Sequence, residues 1–302
     1  MAEGRDGRQK GRTSTKYVAK KAATERIAIA RAAEVRAVRR RNIMVAGGAT
    51  LAVLAVVVTI VGLGLSQKKS AAKANPVVPA SSTVTAGLAA AAALMTQPST
   101  LSDVTKPPSR LTGAALNGPA GTPQVLYVGA EYCPFCAVTR WPLAVALSRF
   151  GTFSNLKTTL SSPTDTNPNT PTLSFHGATY TSSYIDFVGV EAQDGAGKPL
   201  QQLTPAQSTL FQTLGGGSYP FIDFGGKWMQ SGADTSASVL AGMTPDAVAT
   251  AITDPKSKVG ASVQAGADVF TAVICNIDGG KPANVCTAAG VTAAQTEISA
   301  IK

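Results

Sequence analysis

The sequence predicts a mixed α/β domain, a sheet flanked by helices, carried behind a single membrane-spanning helix. Three observations predict it. Residues 43–65, IMVAGGATLAVLAVVVTIVGLGL, contain no charged side chain. Residues 125–130, VLYVGA, form a continuous apolar run that reads as a buried central strand and enters a helical pattern through Cys133-Pro134-Phe135-Cys136. Farther on, FIDFGGKWMQS reads as a hairpin, and helical segments close the chain.

The membrane helix comes first. About 20 apolar residues in a helix cover the hydrocarbon core, whereas a cleavable leader needs a shorter run. Ala72-Lys73-Ala74 has the look of a signal-peptidase site, but the length of the run favours an uncleaved anchor. The net charge of +10 sits almost wholly ahead of it: residues 1–42 carry 13 Lys or Arg against four acids, and the rest of the chain is nearly balanced. Positive charge before the span, against only Lys68, Lys69 and Lys73 just after it, places the N-terminus in the cytoplasm and the C-terminal domain outside the plasma membrane. The expected division is a basic cytoplasmic tail at 1–42, the span at 43–65, an extracytoplasmic linker at 66–104 and a folded domain at 105–302. Residues 16–41 read as a basic helix beside the membrane, expected chiefly to fix topology, and the anchor makes lipid a partner. A near-neutral domain offers no footprint for phosphate backbones, which excludes nucleic acid.

Within the linker, 66–82 reads as a flexible tether and the Ala-rich stretch 86–95 as a short helix among prolines. In the domain, a helix is expected from Pro134 to about Phe150, with Pro142 inside it. Runs with strand character follow at 156–161, 172–181 and 184–191. A helical insertion spans Pro205 to Leu214, the hairpin turns at Gly225-Gly226, and one of two or three closing helices starts after a Thr244 cap with Pro245 first.

All four cysteines fall in the exported part, where disulfides form and persist. Cys133 and Cys136 lie at a strand-to-helix junction. There Cys133 meets free backbone N–H groups and the positive end of the helix dipole, both of which favour its thiolate. Cys133 is the expected attacking sulfur and Cys136 the resolving one. Cys275 and Cys286 are joined by NIDGGKPANV, whose glycines and proline favour a reversal, so they read as a structural disulfide. A second redox relay is the other reading of that pair. His176 sits in a turn between strand-like runs, and no ligand set gathers around it, so no metal or other cofactor is expected.

The order strand, CxxC helix, strand, helical insert, Tyr219-Pro220, hairpin, helix resembles the thioredoxin superfamily. The resemblance implies that Pro220 is cis, faces the cysteine pair and, with Tyr219, contacts an extended substrate. A narrower resemblance rests on GAEYCPFCAVTRWPLAVALSRFGTF, the Ser- and Thr-rich stretch after it, Tyr184 to Glu191 and the late cysteine pair. These are similar to the actinobacterial and archaeal family catalogued as domain of unknown function 929. Thioredoxins carry a buried acid six residues before the first cysteine. Here that position is Tyr127, and Glu131 is expected toward the surface.

The resemblance implies an exported, membrane-anchored thiol-disulfide oxidoreductase acting on protein thiols or disulfides. One uncharged span cannot move electrons across a bilayer, so a membrane redox partner or a small thiol must recycle it. Two other functions fit the residues: a peptide-binding module with a permanently oxidised pair, and a carrier of a soft metal ion on two thiolates.

Overall fold

The computed structural model describes residues 73–95, 104 and 106–301. The expected basic tail, the apolar run and the first residues of the linker lie outside the described residues. Among those that are described, no helix is long and apolar enough to cross a membrane.

In chain order the elements are β1 (Val78–Pro79), α1 (Ser82–Ala93), β2 (Ser109–Arg110) and β3 (Gln124–Gly129), then α2 (Pro134–Ser148). Five strands follow: β4 (Gly151–Ser154), β5 (Lys157–Leu160), β6 (Pro171–Ser174), β7 (Thr179–Ser182) and β8 (Asp186–Glu191). After α3 (Pro205–Thr213) come β9 (Phe221–Phe224), β10 (Trp228–Ser231) and a 3-10 turn at Ala237–Leu240. The chain closes with α4 (Pro245–Ala251), α5 (Lys258–Ile277), the short α6 (Ala283–Cys286) and α7 (Ala289–Ser299).

The central sheet has the order β2-β10-β9-β3-β8. Only the β3–β8 pair is parallel; β9 runs antiparallel to β3, and β10 antiparallel to β9. Strand β3 is apolar after Gln124 because both its faces are covered from there on. Val125 and Tyr127 enter the large core that contains Trp141, Leu143 and Phe270 of α2 and α5, while Leu126 and Val128 enter a smaller one with Phe211 of α3. The smaller core also takes Phe221 of β9 and Val190 of β8. The hairpin turns where expected: Gly225 and Gly226 have φ of 62° and 67°, the left-handed geometry a two-residue turn needs, and Asp223 Oδ1 accepts from Gly226 N at 2.6 Å.

Caps start the helices. Thr204 and Gln207 form a capping box on α3, and Thr244 and Ser257 accept from Ala247 N and Gly260 N at the starts of α4 and α5. The run 172–181 divides into β6 and β7 around a turn at His176 and Gly177, and four helical segments follow the hairpin.

The described part of the expected linker differs from its reading as a tether. Strand β1 pairs antiparallel with β5, and α1, capped by Ser81, buries Val84, Leu88, Ala91 and Ala92. It packs on α2 and α4, where a Cβ at Gly87 would collide with the backbone of Ala249. Its alanines lack an amphipathic stripe, because small side chains permit burial wherever another backbone comes close. A polar network clamps this corner: Arg149 donates to Asp268 at 2.7 Å, to Thr271 at 2.9 Å and to Gln264 at 3.0 Å, and Gln264 donates to Ala91 O.

One buried group weakens the fold. Asp234, in the loop after β10, is 1% exposed, and neither carboxylate oxygen is hydrogen-bonded. Burial pushes its carboxyl up to about 6 from 3.8; the Thr139 hydroxyl nearby offsets part of that without reaching hydrogen-bond geometry. The folded chain therefore holds this proton more tightly than the unfolded chain. Stability should fall as pH rises from about 4 to about 6 and stay lower above that. Asp234→Asn is expected to raise stability near pH 7.5 by up to about 3 kcal/mol and to change little near pH 4. Urea denaturation at the two pH values checks this, and an equal gain at both would rule it out.

Candidate functional site

Strand β3 ends at Gly129, and a turn through Ala130, Glu131 and Tyr132 delivers Cys133 to the start of α2. The turn is fixed from both sides: Glu131 N donates to Gln193 O and Ser162 N to Tyr132 O. Cys133 is the N-cap residue, with extended φ and ψ, and its Sγ accepts from Cys136 N at 3.2 Å. Pro134 follows at the first helical position, where its missing N–H costs nothing.

Both thiols are free. Cys133 is 6% exposed, Cys136 is fully buried, and the Phe135 side chain between them stands 45% exposed. Their acidities diverge. A hydrogen bond from the Cys136 thiol, outweighing burial, holds Cys133 below the ordinary thiol range, helped by the Cys136 and Phe135 N–H groups and by the charge of Arg140. Burial pushes Cys136 well above that range, and the neighbouring Cys133 sulfur adds to the effect. One sulfur thus keeps a sliver of exposure and ionises the more readily, while its partner is fully enclosed and held toward its thiol form.

The structure brings Tyr219 to this pair and Pro220 to the end of β3. The Tyr219–Pro220 peptide is cis, and Val128 pairs with Phe221, so Pro220 stands one step past the register, beside Gly129. Tyr219 stacks on Phe211 at 5.1 Å between ring centroids, and with Tyr132 it packs around Ala130, Cys133 and Cys136. Beside Tyr132 opens a cleft of about 200 Å³ lined by Ser162, Thr164, Asp165 and Gly195–Gly197.

Beneath the turn lies an ion pair that inspection of motifs missed. Arg140 and Glu191 are both fully buried. Arg140 Nε donates to Glu191 Oε1 at 2.8 Å and Nη2 to Oε2 at 2.5 Å. Nη2 also donates to Ala130 O at 2.8 Å, and Nη1 to Thr172 Oγ1 at 3.2 Å. The guanidinium lies 5.6 Å from the Tyr127 ring centroid. The available signal was Arg140, the one charge on the apolar α2, and Glu191 closing the apolar run of β8.

Glu131 corrects an expectation. It is 2% exposed rather than at the surface, because its Oε1 accepts from Ser174 at 2.7 Å, and burial raises its carboxyl. Tyr127 fills the position of the missing acid. Its buried hydroxyl has no hydrogen-bond partner, and burial pushes it well above the phenol range.

Cys275 and Cys286 are disulfide-bonded, with Cα atoms 5.7 Å apart, joining the last turn of α5 to α6. His176 lies in a turn, half-buried; among the described residues no group of three or more His, Cys, Asp or Glu is arranged to hold a metal ion.

The model of the family described as Domain of unknown function (DUF929) matches residues 116–276, which span β3 to the end of α5 apart from its last residue and include every group at this site. No curated protein matches the chain, and no solved structure does.

The acidity difference has a direct readout. In the native, reduced chain near pH 7, iodoacetamide should modify Cys133 and leave Cys136 untouched, whereas unfolding should expose both. Mass mapping of the modified peptides checks this. Equal labelling of the two native thiols would contradict the asymmetry.

Proposed function

The chain belongs to the DUF929 family, whose description names no activity, and from the chemistry of its site we propose that it is a membrane-anchored thiol-disulfide oxidoreductase with a thioredoxin-like fold. The observation that carries the reading is a pair of free thiols at a helix start, Cys133 at the cap with its sulfur accepting from Cys136 N and Cys136 fully enclosed one turn on, with Tyr219 packed against both.

The fold supports it. The sheet contains β8-β3-β9-β10 with a parallel pair followed by two antiparallel ones, the cysteines after the central strand and the proline before the next. That arrangement resembles the thioredoxin superfamily. Phe135, Tyr132 and Tyr219 give the reachable sulfur an apolar and aromatic surround of the kind an extended polypeptide can cover.

In the exchange, the Cys133 thiolate attacks one sulfur of a substrate disulfide and the other leaves as a thiolate. Cys136 then loses its proton and attacks Cys133 Sγ, releasing the second substrate thiolate and closing the Cys133–Cys136 bond. One electron pair passes to the substrate; run backwards, the same steps oxidise it. Cys275–Cys286 stays outside the exchange as a structural link. The apolar run at 43–65 and the basic residues before it support an extracytoplasmic position, where exported protein thiols and disulfides are the substrates. A membrane redox partner or a small thiol recycles the pair.

Replacement of the resolving sulfur tests the reading. Cys136→Ala in the full-length chain should accumulate a mixed disulfide between Cys133 and a protein substrate, and Cys133→Ala should reduce exchange to the uncatalysed rate. Non-reducing electrophoresis with mass mapping follows the first effect and a disulfide-reduction assay the second. Undiminished activity in Cys133→Ala, or no adduct on Cys133 in Cys136→Ala, would overturn it.

A further inference from the structure

Arg140 lies one helical turn past Cys136 on the same face of α2, so its stem runs alongside the resolving cysteine. Its head turns back to the carbonyl of Ala130, which also accepts the Cys133 N–H. Full burial removes the ionic screening that would mask its charge at a surface. Resting on the thiol-disulfide reading above, we propose that Arg140 is a positioning residue that biases the Cys133–Cys136 couple toward its dithiol form, so that the pair favours taking electrons from protein thiols.

The charge distinguishes the two redox forms. The disulfide is neutral, whereas the reduced pair carries a sulfur anion, and a fixed cation beneath it stabilises only that form. In the favoured direction a substrate thiolate attacks Cys133 Sγ, the Cys133–Cys136 bond breaks, and Cys136 leaves as a thiolate and takes a proton. A second substrate thiolate then attacks the substrate sulfur of the mixed disulfide, and Cys133 leaves as a thiolate. The electron pair ends on the cysteines, and a small-molecule disulfide removes it again. The other groups facing this region do not supply the cation. Tyr127, Tyr132 and Tyr219 are phenols whose ionisation burial disfavours, Glu131 and Glu191 face the guanidinium, Asp165 lies near Tyr132, and His176 and Lys157 line a separate pocket with Glu131 and not with the cysteines.

Removing both charges together keeps the interior free of an unpaired ion. Arg140→Gln combined with Glu191→Gln is expected to shift the equilibrium with glutathione about tenfold toward the disulfide, about 30 mV for a two-electron couple, and to move the pH midpoint of Cys133 alkylation upward. Glu191→Gln alone, which leaves the guanidinium uncompensated, should move both readouts the other way. Arg140→Lys, which keeps the charge, should stay near the native potential. The measurements use the full-length chain, with the melting profile establishing that each variant is folded. A folded double variant with unchanged potential and unchanged alkylation midpoint would overturn the proposal. Should the double variant fail to fold, the apolar pair Arg140→Met with Glu191→Leu, which also removes both charges, decides: no shift in either readout would overturn it as well. A native pair that never exchanges with glutathione would sink the thiol-disulfide reading itself, an outcome distinct from exchange that is indifferent to Arg140.

Discussion

The Arg140–Glu191 ion pair joins the elements around the site. Taking two charges out of water is expensive, and the cost is offset only when the remaining donors and acceptors are satisfied. Here Arg140 meets Glu191, Ala130 and Thr172, and Glu191 also accepts from Phe175 N at 3.3 Å. Those partners lie on α2, on β8, on the turn after β3 and in and just after β6. One guanidinium therefore fixes where the helix starts relative to the two parallel strands and the neighbouring small sheet. Loss of either partner alone would strand a buried charge, at a cost of about 3–5 kcal/mol, which makes the pair a constraint on geometry more than a source of net stability.

The asymmetry of the two thiols follows from that geometry. Strand β3 has cores on both faces, so it cannot be displaced sideways, and the turn at its end is held by Gln193, Ser162 and Arg140. Cys133 consequently sits at the cap, where N–H groups converge on its sulfur, while Cys136 points into the packed interior one turn on. Tyr219 is brought to the cysteines, and Pro220 to the end of β3, by the β3–β9 register and not by sequence proximity. The separation of Tyr219-Pro220 from the cysteines along the chain thus has no bearing on their closeness in the fold.

Much of this was legible in the sequence where a local pattern carries the structure. The β3 run, the cap and helix of the cysteine motif, the Gly225-Gly226 turn and the Thr244-Pro245 start each depend on neighbours a few residues away. The features that escaped have long-range causes. Helix α1 is expected from its alanines, but its burial against α2 and α4 is not, because uniform small residues give no face to read. Glu131 was assigned to the surface because acids usually are, whereas Ser174, distant in sequence, makes its burial possible. The ion pair joins residues 51 positions apart, and the trace it left was one charge inside the apolar α2 and another at the end of β8.

The same network bears on how the resolving thiol can lose its proton in the exchange proposed here. An internal base would have to be a carboxylate or a free imidazole near Cys136. Tyr127 occupies the position where such an acid would be expected, and its buried phenol is a poorer base than either. Glu191 is committed to Arg140, and Glu131 is engaged by Ser174 and held toward its protonated form by burial. The contact that remains is sulfur to sulfur: in the reduced pair the Cys136 thiol hydrogen-bonds to Cys133, which lowers the acidity of one as it raises that of the other. Once Cys133 is tied up in a mixed disulfide, that contact no longer opposes ionisation of Cys136, while the attraction of Arg140 persists. Formation of the mixed disulfide would thus itself ease ionisation of the second sulfur, the fixed cation stabilising the thiolate while solvent takes the proton.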